Sequence, residues 1–144
     1  MICSARINQL EDILSIERIS FTRPWTRNQI TKDLQNGFNS ENWVYKLNGN
    51  VIGYIFVSKI EDQFHLNNIA VHPDFLGQKI GSSLIKHIII RAKNRKVNII
   101  LLEVSINNII ARKCYKSLGF IQVGIRKNYY SKGDDAILYD LEIA

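Results

Sequence analysis

The sequence predicts an α/β fold, a mixed sheet of six to seven strands with helices on both faces. Three observations predict it. Strand-like runs joined by a hairpin signal come first and helical crossovers follow, an order that combines antiparallel and parallel pairing. "VNIILLEV" is a nearly unbroken apolar run, the pattern of a strand covered on both faces. Amphipathic runs flank that strand on either side in the chain. The 144 residues suit one domain, expected to span 1–144, and that length can bury a sizeable core.

Ile2 to Ile7 is a candidate first strand. Leu10, Ile13 and Leu14 have helical spacing, which predicts a helix over Asn8 to about Ser20. "RPWTRNQI" punctuates it, and Thr26 with Gln29 forms a capping box for a second helix that continues through Ile30 and Leu34. Gly37 ends that helix. "WVYKLNGNVIGYIFVSKI" reads as two strands about the turn Asn48-Gly49. "FHLNNIAV" is the next strand, and Pro73 forbids its simple continuation. Ile80, Leu84, Ile88 and Ala92 mark one face of a helix. After "VNIILLEV", Asn107 to Leu118 is a helix stopped by Gly119, and "FIQVGI" and "AILYDLEI" are closing strands. Ligands of such sheets sit near strand ends and helix N-termini, where neighbouring strands splay.

Composition excludes several classes of function. No apolar run approaches the roughly 20 residues of a membrane span. Charges interrupt the apolar N-terminus, so it does not read as a signal peptide. Cys3 and Cys114 lie far apart, and neither they nor His65, His72 and His87 have metal-ligand spacing. No metal and a reduced, cytoplasmic setting are expected. The net charge is +6, and Phe75 to Leu102 contains six cations (Lys79, Lys86, Arg91, Lys93, Arg95 and Lys96) without an acidic residue. An anionic partner fits that half, as does a merely solvated helix face.

Two constellations carry chemistry. "LGQKIG", Leu76 to Gly81, stands where a strand hands over to a helix, whose unpaired N–H groups and positive end suit a phosphate. Alone, this hexamer is only a turn. Glu103 ends a strand otherwise made of Ile, Leu and Val, and partial burial shifts a carboxyl toward general-base use. A strand-end glutamate reaching solvent is the plainer alternative. Tyr115, twelve positions on, carries a phenol that can protonate a departing thiolate, whose ordinary pKa is about 8.5. Taken singly it is a core or surface aromatic. Together the two supply the base and the acid that aminolysis of a thioester needs. Cys114 has no neighbouring His and reads as a structural thiol. Glu61 and Asp62 read as a solvated hairpin end.

"NNIAVHPDFLGQKIGSSLIKHII" resembles the acetyl-CoA-binding motif of the GNAT acetyltransferase superfamily, in which a strand is followed by Gln/Arg-x-x-Gly-x-Gly/Ala and a helix. Gly81 matches the last position, whereas Leu76 replaces the polar first residue and Lys79 the inner glycine. Lys79 is expected to lie already in helical φ/ψ, where glycine is not needed, and to add a cation. "LEV", Asn108, "YKSLGF", "IRKNYY" and "PWT" resemble the RimI branch, the ribosomal-protein-alanine N-acetyltransferases, and the likeness covers nearly the whole chain.

The resemblance implies a GNAT fold with splayed central strands and acetyl-CoA as cosubstrate. It implies a protein N-terminus as the other substrate, that of a small-subunit ribosomal protein, with no membrane or direct nucleic-acid binding. Glu103 would be the base and Tyr115 the acid. Ile69, Ala70 and Val71 would offer backbone groups to the pantetheine arm. Gly77, Gln78, Lys79, Ile80, Gly81 and Ser82 would wrap the pyrophosphate, and Asn108 would contact acetyl-CoA. Trp25, Tyr129 and Tyr130 would shape the peptide side. The alternatives are a GNAT enzyme for lysine side chains, polyamines or small amines, and a non-catalytic acyl-CoA or nucleic-acid binding module.

Overall fold

In the computed structural model, which describes residues 1–143, seven strands form one sheet in the order β1-β2-β3-β4-β5-β7-β6. The strands are β1 (Ile2–Ser4), β2 (Ser40–Leu47), β3 (Asn50–Ile60), β4 (Gln63–Val71), β5 (Ile99–Ser105), β6 (Ile121–Ser131) and β7 (Asp134–Glu142). The helices are α1 (Leu10–Ser20), α2 (Arg27–Leu34), α3 (Ile80–Asn94) and α4 (Ile109–Ser117). Their order in the chain is the predicted one. β1 is shorter than expected: it stops at Ser4, and a single tight turn at Ile7–Gln9 leads into α1.

Local chemistry accounts for the joints. The Thr26 side chain accepts from the Gln29 N–H, and the Gln29 side chain reaches back to the Thr26 N–H, closing the capping box that starts α2. Asn48 and Gly49 have φ of 51° and 81°, the pair of positive values that a two-residue hairpin turn requires.

The helices cover opposite faces. Along β3, Ile55 and Val57 point to the α3 side, where Ile80, Leu84, Ile85, Ile88 and Ala92 form the larger core. Tyr54 and Phe56 alternate to the other side and meet Ile13, Leu14 and Ile16 of α1 and Ile30 of α2. Leu84 and Ile88 are fully buried, and truncating either to Ala would cost about 2–5 kcal/mol. Gly53 admits the closest approach: a Cβ there would lie 3.2 Å from the Ala70 carbonyl oxygen and 3.3 Å from Ile80, so β3 passes under the start of α3 without a side chain.

One pairing positions everything that follows. β4 and β5 are the parallel pair, and they pair only from Gln63 to Leu66 with Ile99 to Leu102. β4 runs on to Val71 along β3, and β5 runs on to Ser105 along β7. Beyond Leu66 and Leu102 the two strands part. A bulge where β4 meets β3, with Asn67 as the extra residue, sits at the parting.

The expectation that β5 is covered on both faces is corrected. Ile100, Leu102 and Val104 are buried under α3 and α4, but Leu101 and Glu103 line an open cleft on the opposite face. The apolar run arises because one face lies in the core and the other floors a cavity.

Candidate active site

The parting strands open a cleft of about 790 Å³. Its floor is Leu101 and Glu103 of β5 with Leu138 and Asp140 of β7. Trp25, from the loop before α2, walls one side, and Arg126, Tyr129 and Tyr130 of β6 wall the other. The structure thus gathers four of the predicted residues around one cavity: Trp25, Glu103, Tyr129 and Tyr130. Strand parity turns Glu103 there, since Leu102 and Val104 face the opposite core.

Glu103 is only partly buried at the end of β5. Its side chain is 33% exposed, and Arg126 Nη1 lies 3.5 Å from Oε1. This is a loose ion pair that leaves oxygen lone pairs facing the cleft. Arg126 also lies over the Tyr129 ring at 5.4 Å, and the Tyr129 and Tyr130 rings meet edge to face at 5.1 Å. Burial, then the nearby Glu103 carboxylate, pushes the Tyr130 hydroxyl up to about 12, so it stays a neutral donor across the physiological range.

Tyr115 does not line this cleft. It projects from α4 into the larger core, 4% exposed, with its ring 5.7 Å from Phe120 and 6.1 Å from Tyr139. Burial raises its hydroxyl pKa well above the ordinary value, and Tyr130 contributes to the same shift. Tyr130 thus lies within electrostatic reach of both Glu103 and Tyr115. Glu103 faces one side of the sheet and Tyr115 belongs to the core on the other.

The turn before α3 occupies the α3 side. Pro73–Phe75 form a single tight turn, Gly77 has φ 79°, and Lys79 is the N-cap of α3. Lys79 has φ 62° and ψ 23°, which is left-handed, so the expected helical backbone is corrected: this is a position where glycine is favoured. A Cβ at Gly77 would meet nothing within 4 Å, and one at Gly81 only Val71 at 3.9 Å. The protein's own packing therefore leaves open space over the turn. Gln78, Ile80 and Ser82 complete it, and no acidic residue stands in the first turn of α3. A free helix N-terminus, open space and the adjacent cation fit a pyrophosphate. Ile69, Ala70 and Val71 lie on the half of β4 that has left β5, and their edge toward β5 is unpaired.

The predicted basic half is smaller than the sequence implied. Arg91 holds Glu41 through two bonds of 2.7 and 3.1 Å, and Arg95 holds the same carboxylate at 2.7 Å. These two arginines are committed to tying α3 to β2. Asn108 caps α4, its side-chain oxygen accepting from the Ala111 N–H at 3.2 Å. The preceding loop is latched to β7: Ser105 Oγ donates to Asp134 Oδ1, and Asn107 Nδ2 donates to the same oxygen at 3.2 Å. The β6–β7 hairpin is thereby fixed to the segment that carries Asn108.

Sequence reasoning missed Arg126 and Asp134. Arg126 lies inside the quoted "IRKNYY", but only the strand pairing shows that it reaches back to Glu103. Among the described residues there is no group of three or more side chains suited to hold a metal, and no helix is long and apolar enough to cross a membrane.

A sheet that parts between two parallel strands, with an open glutamate on one face and a phosphate-ready turn on the other, defines the class. The sequence profile described as "Acetyltransferase (GNAT) family" matches residues 10–120, and the chain belongs to that family. Within it the likeness is to the RimI type of N-acetyltransferase. The ribosomal protein bS18-alanine N-acetyltransferase of Escherichia coli K12 is 32% identical over 99% of this chain and 97% of its own length. The enzyme of the same name from Haemophilus ducreyi is 32% identical over 85% of this chain and 83% of its own. The crystal structure of the Escherichia coli ribosomal-protein-S18-alanine N-acetyltransferase superposes with a TM-score of 0.93, covering 100% of this chain and 94% of that one at 30% identity.

Proposed function

We propose that this acetyltransferase uses acetyl-CoA to acetylate the α-amino group of an N-terminal alanine, and that its substrate is a small-subunit ribosomal protein. The observation that carries the reading is the open Glu103 carboxylate at the parting of β4 and β5, walled by Trp25, Tyr129 and Tyr130. The names of the relatives support the choice of substrate.

The chemistry assigns each group a task. The pyrophosphate of acetyl-CoA rests on residues 77–82, and Asn108 contacts the cosubstrate from α4. The pantetheine arm follows the unpaired edge of Ile69, Ala70 and Val71, which brings the thioester to the gap. The amine, held between Trp25 and the Tyr129–Tyr130 wall, attacks the thioester carbonyl. Its proton passes to Glu103, directly or through a water, as the C–N bond forms. The C–S bond then breaks, and Tyr115 gives its proton to the sulfur. An α-amino group, with an ordinary pKa of about 7.7–8.0, needs only a weak base, whereas lysine near 10.4 needs a stronger one. A carboxylate open to the cleft suits the first.

Release of free thiol from acetyl-CoA tests this reading. A peptide beginning with Ala supports release, and the same peptide with a blocked N-terminus does not. Equal release from both would remove the claim that the acceptor is the N-terminal amine.

A further inference from the structure

We propose that Glu17 is a positioning residue for acetyl transfer, setting the width of the cleft mouth; this rests on the acetyl-transfer reading above. Glu17 belongs to α1, where Ile13, Leu14 and Ile16 are core residues, and it is itself 1% exposed. None of the five ion pairs among the described residues involves it. An unpaired buried carboxylate is costly unless hydrogen bonds replace its water.

Three donors from three other segments do so here. The Trp25 N–H donates to Oε2 at 2.8 Å, Asn68 Nδ2 donates to Oε1 at 2.7 Å, and the Tyr54 hydroxyl donates to Oε1 as well. Tyr54 belongs to β3 and anchors the carboxylate to the sheet centre. Trp25 is the cleft wall, and its ring is fixed at 5.9 Å from Phe56. Asn68 lies on the departed half of β4, one residue past the bulge at Asn67. Glu17 therefore ties one wall of the cleft to the strand edge that leaves β5. An apolar side chain would fill this core position, but it would leave three donors unpaired and the wall untied. The link lies on the α1 side of the sheet, and the turn before α3 lies on the other.

The test compares E17A and E17Q with the parent protein, all carrying W43F so that Trp25 is the sole indole of the two in the chain. Glutamine can offer its oxygen to the Trp25 N–H and its amide to the Tyr54 oxygen and a flipped Asn68 carboxamide. E17A is expected to raise KM for an Ala-initiated peptide about tenfold while KM for acetyl-CoA changes less than about twofold, and E17Q is expected to restore peptide KM. Acrylamide is expected to quench Trp25 more strongly in E17A than in E17Q. Parallel loss for both substrates, no change in E17A, or an E17Q as impaired as E17A would overturn the proposal. If E17A does not fold, N68A, which removes one donor from a partly exposed position, takes its place with the same expected split and the same overturning results. If the parent protein transfers no acetyl group to any peptide, the acetyl-transfer reading fails. The quenching comparison then decides the role of Glu17 alone: stronger quenching in E17A supports it, and equal quenching overturns it.

Discussion

Glu41 and Glu103 each meet arginine, with opposite results. At the junction of α3 and β2, Glu41 is 4% exposed and receives Arg91, Arg95 and the Trp43 indole N–H, so both oxygens are engaged. At the parting of β4 and β5, Glu103 is 33% exposed and has one arginine at 3.5 Å. The first carboxylate has nothing left to offer a ligand and locks a helix to a sheet. The second keeps lone pairs turned into a cavity. Saturation, more than residue type, separates the two carboxylates.

Changing each carboxylate sharpens the contrast. The largest expected effect is on turnover: E103Q lowers kcat by about 10²–10⁴ in steady-state acetyl transfer, with an unchanged melting temperature. A kcat within a few-fold of wild type would place Glu103 with the structural carboxylates. Y115F is expected to lower kcat about a hundredfold while leaving KM for the peptide near wild type. Because its ring is buried against Phe120 and Tyr139, this variant keeps the packing and removes only the donor.

The reciprocal experiment breaks the lock. E41A is expected to lower stability by about 3 kcal/mol in urea unfolding, because it leaves two arginines facing an emptied site, while kcat under native conditions stays within a few-fold. The same pair sets an acid limb. Burial alone would raise the Glu41 carboxyl, but the bonds from Arg91, Arg95 and Trp43 outweigh it and hold it below its ordinary value of 4.5. A depressed folded-state pKa adds stability that is fully present above the unfolded value and lost as pH falls through the folded one. Wild-type stability is therefore expected to fall below about pH 4.5, and E41Q is expected to lose that part of the slope.

The smallest effect concerns Lys79. Its left-handed backbone is relieved in K79G, with an expected gain of about 0.5–1 kcal/mol in stability. The loss of a cation is expected to weaken coenzyme A binding about threefold in calorimetry and to flatten its salt dependence. Tighter binding by K79G would show that clearance over the turn matters more than charge.

Much of this architecture was legible in the sequence because its signals are local. The Thr26–Gln29 capping box, the Asn48-Gly49 turn and the Ile80-Leu84-Ile88-Ala92 face each depend on residues a few positions apart. The site was legible in part, through the resemblance of "LEV" and "IRKNYY". What escaped depends on pairing across the sheet. That β5 has one open face follows from where β4 leaves it. That Arg91 and Arg95 are committed follows from Glu41, fifty and more positions earlier in the chain. Lys79 was misread because the backbone of an N-cap cannot be inferred from its side chain.

The central claim is that the open Glu103 carboxylate serves an α-amino group. A single peptide carrying both an N-terminal Ala and an internal Lys tests it most directly, with fragment mass spectrometry locating the acetyl group after reaction with acetyl-CoA. One acetyl group on the α-amine, formed by the wild type and nearly absent with E103Q, is the predicted result. Acetyl on the lysine, or equal α-amine acetylation by E103Q, would contradict it.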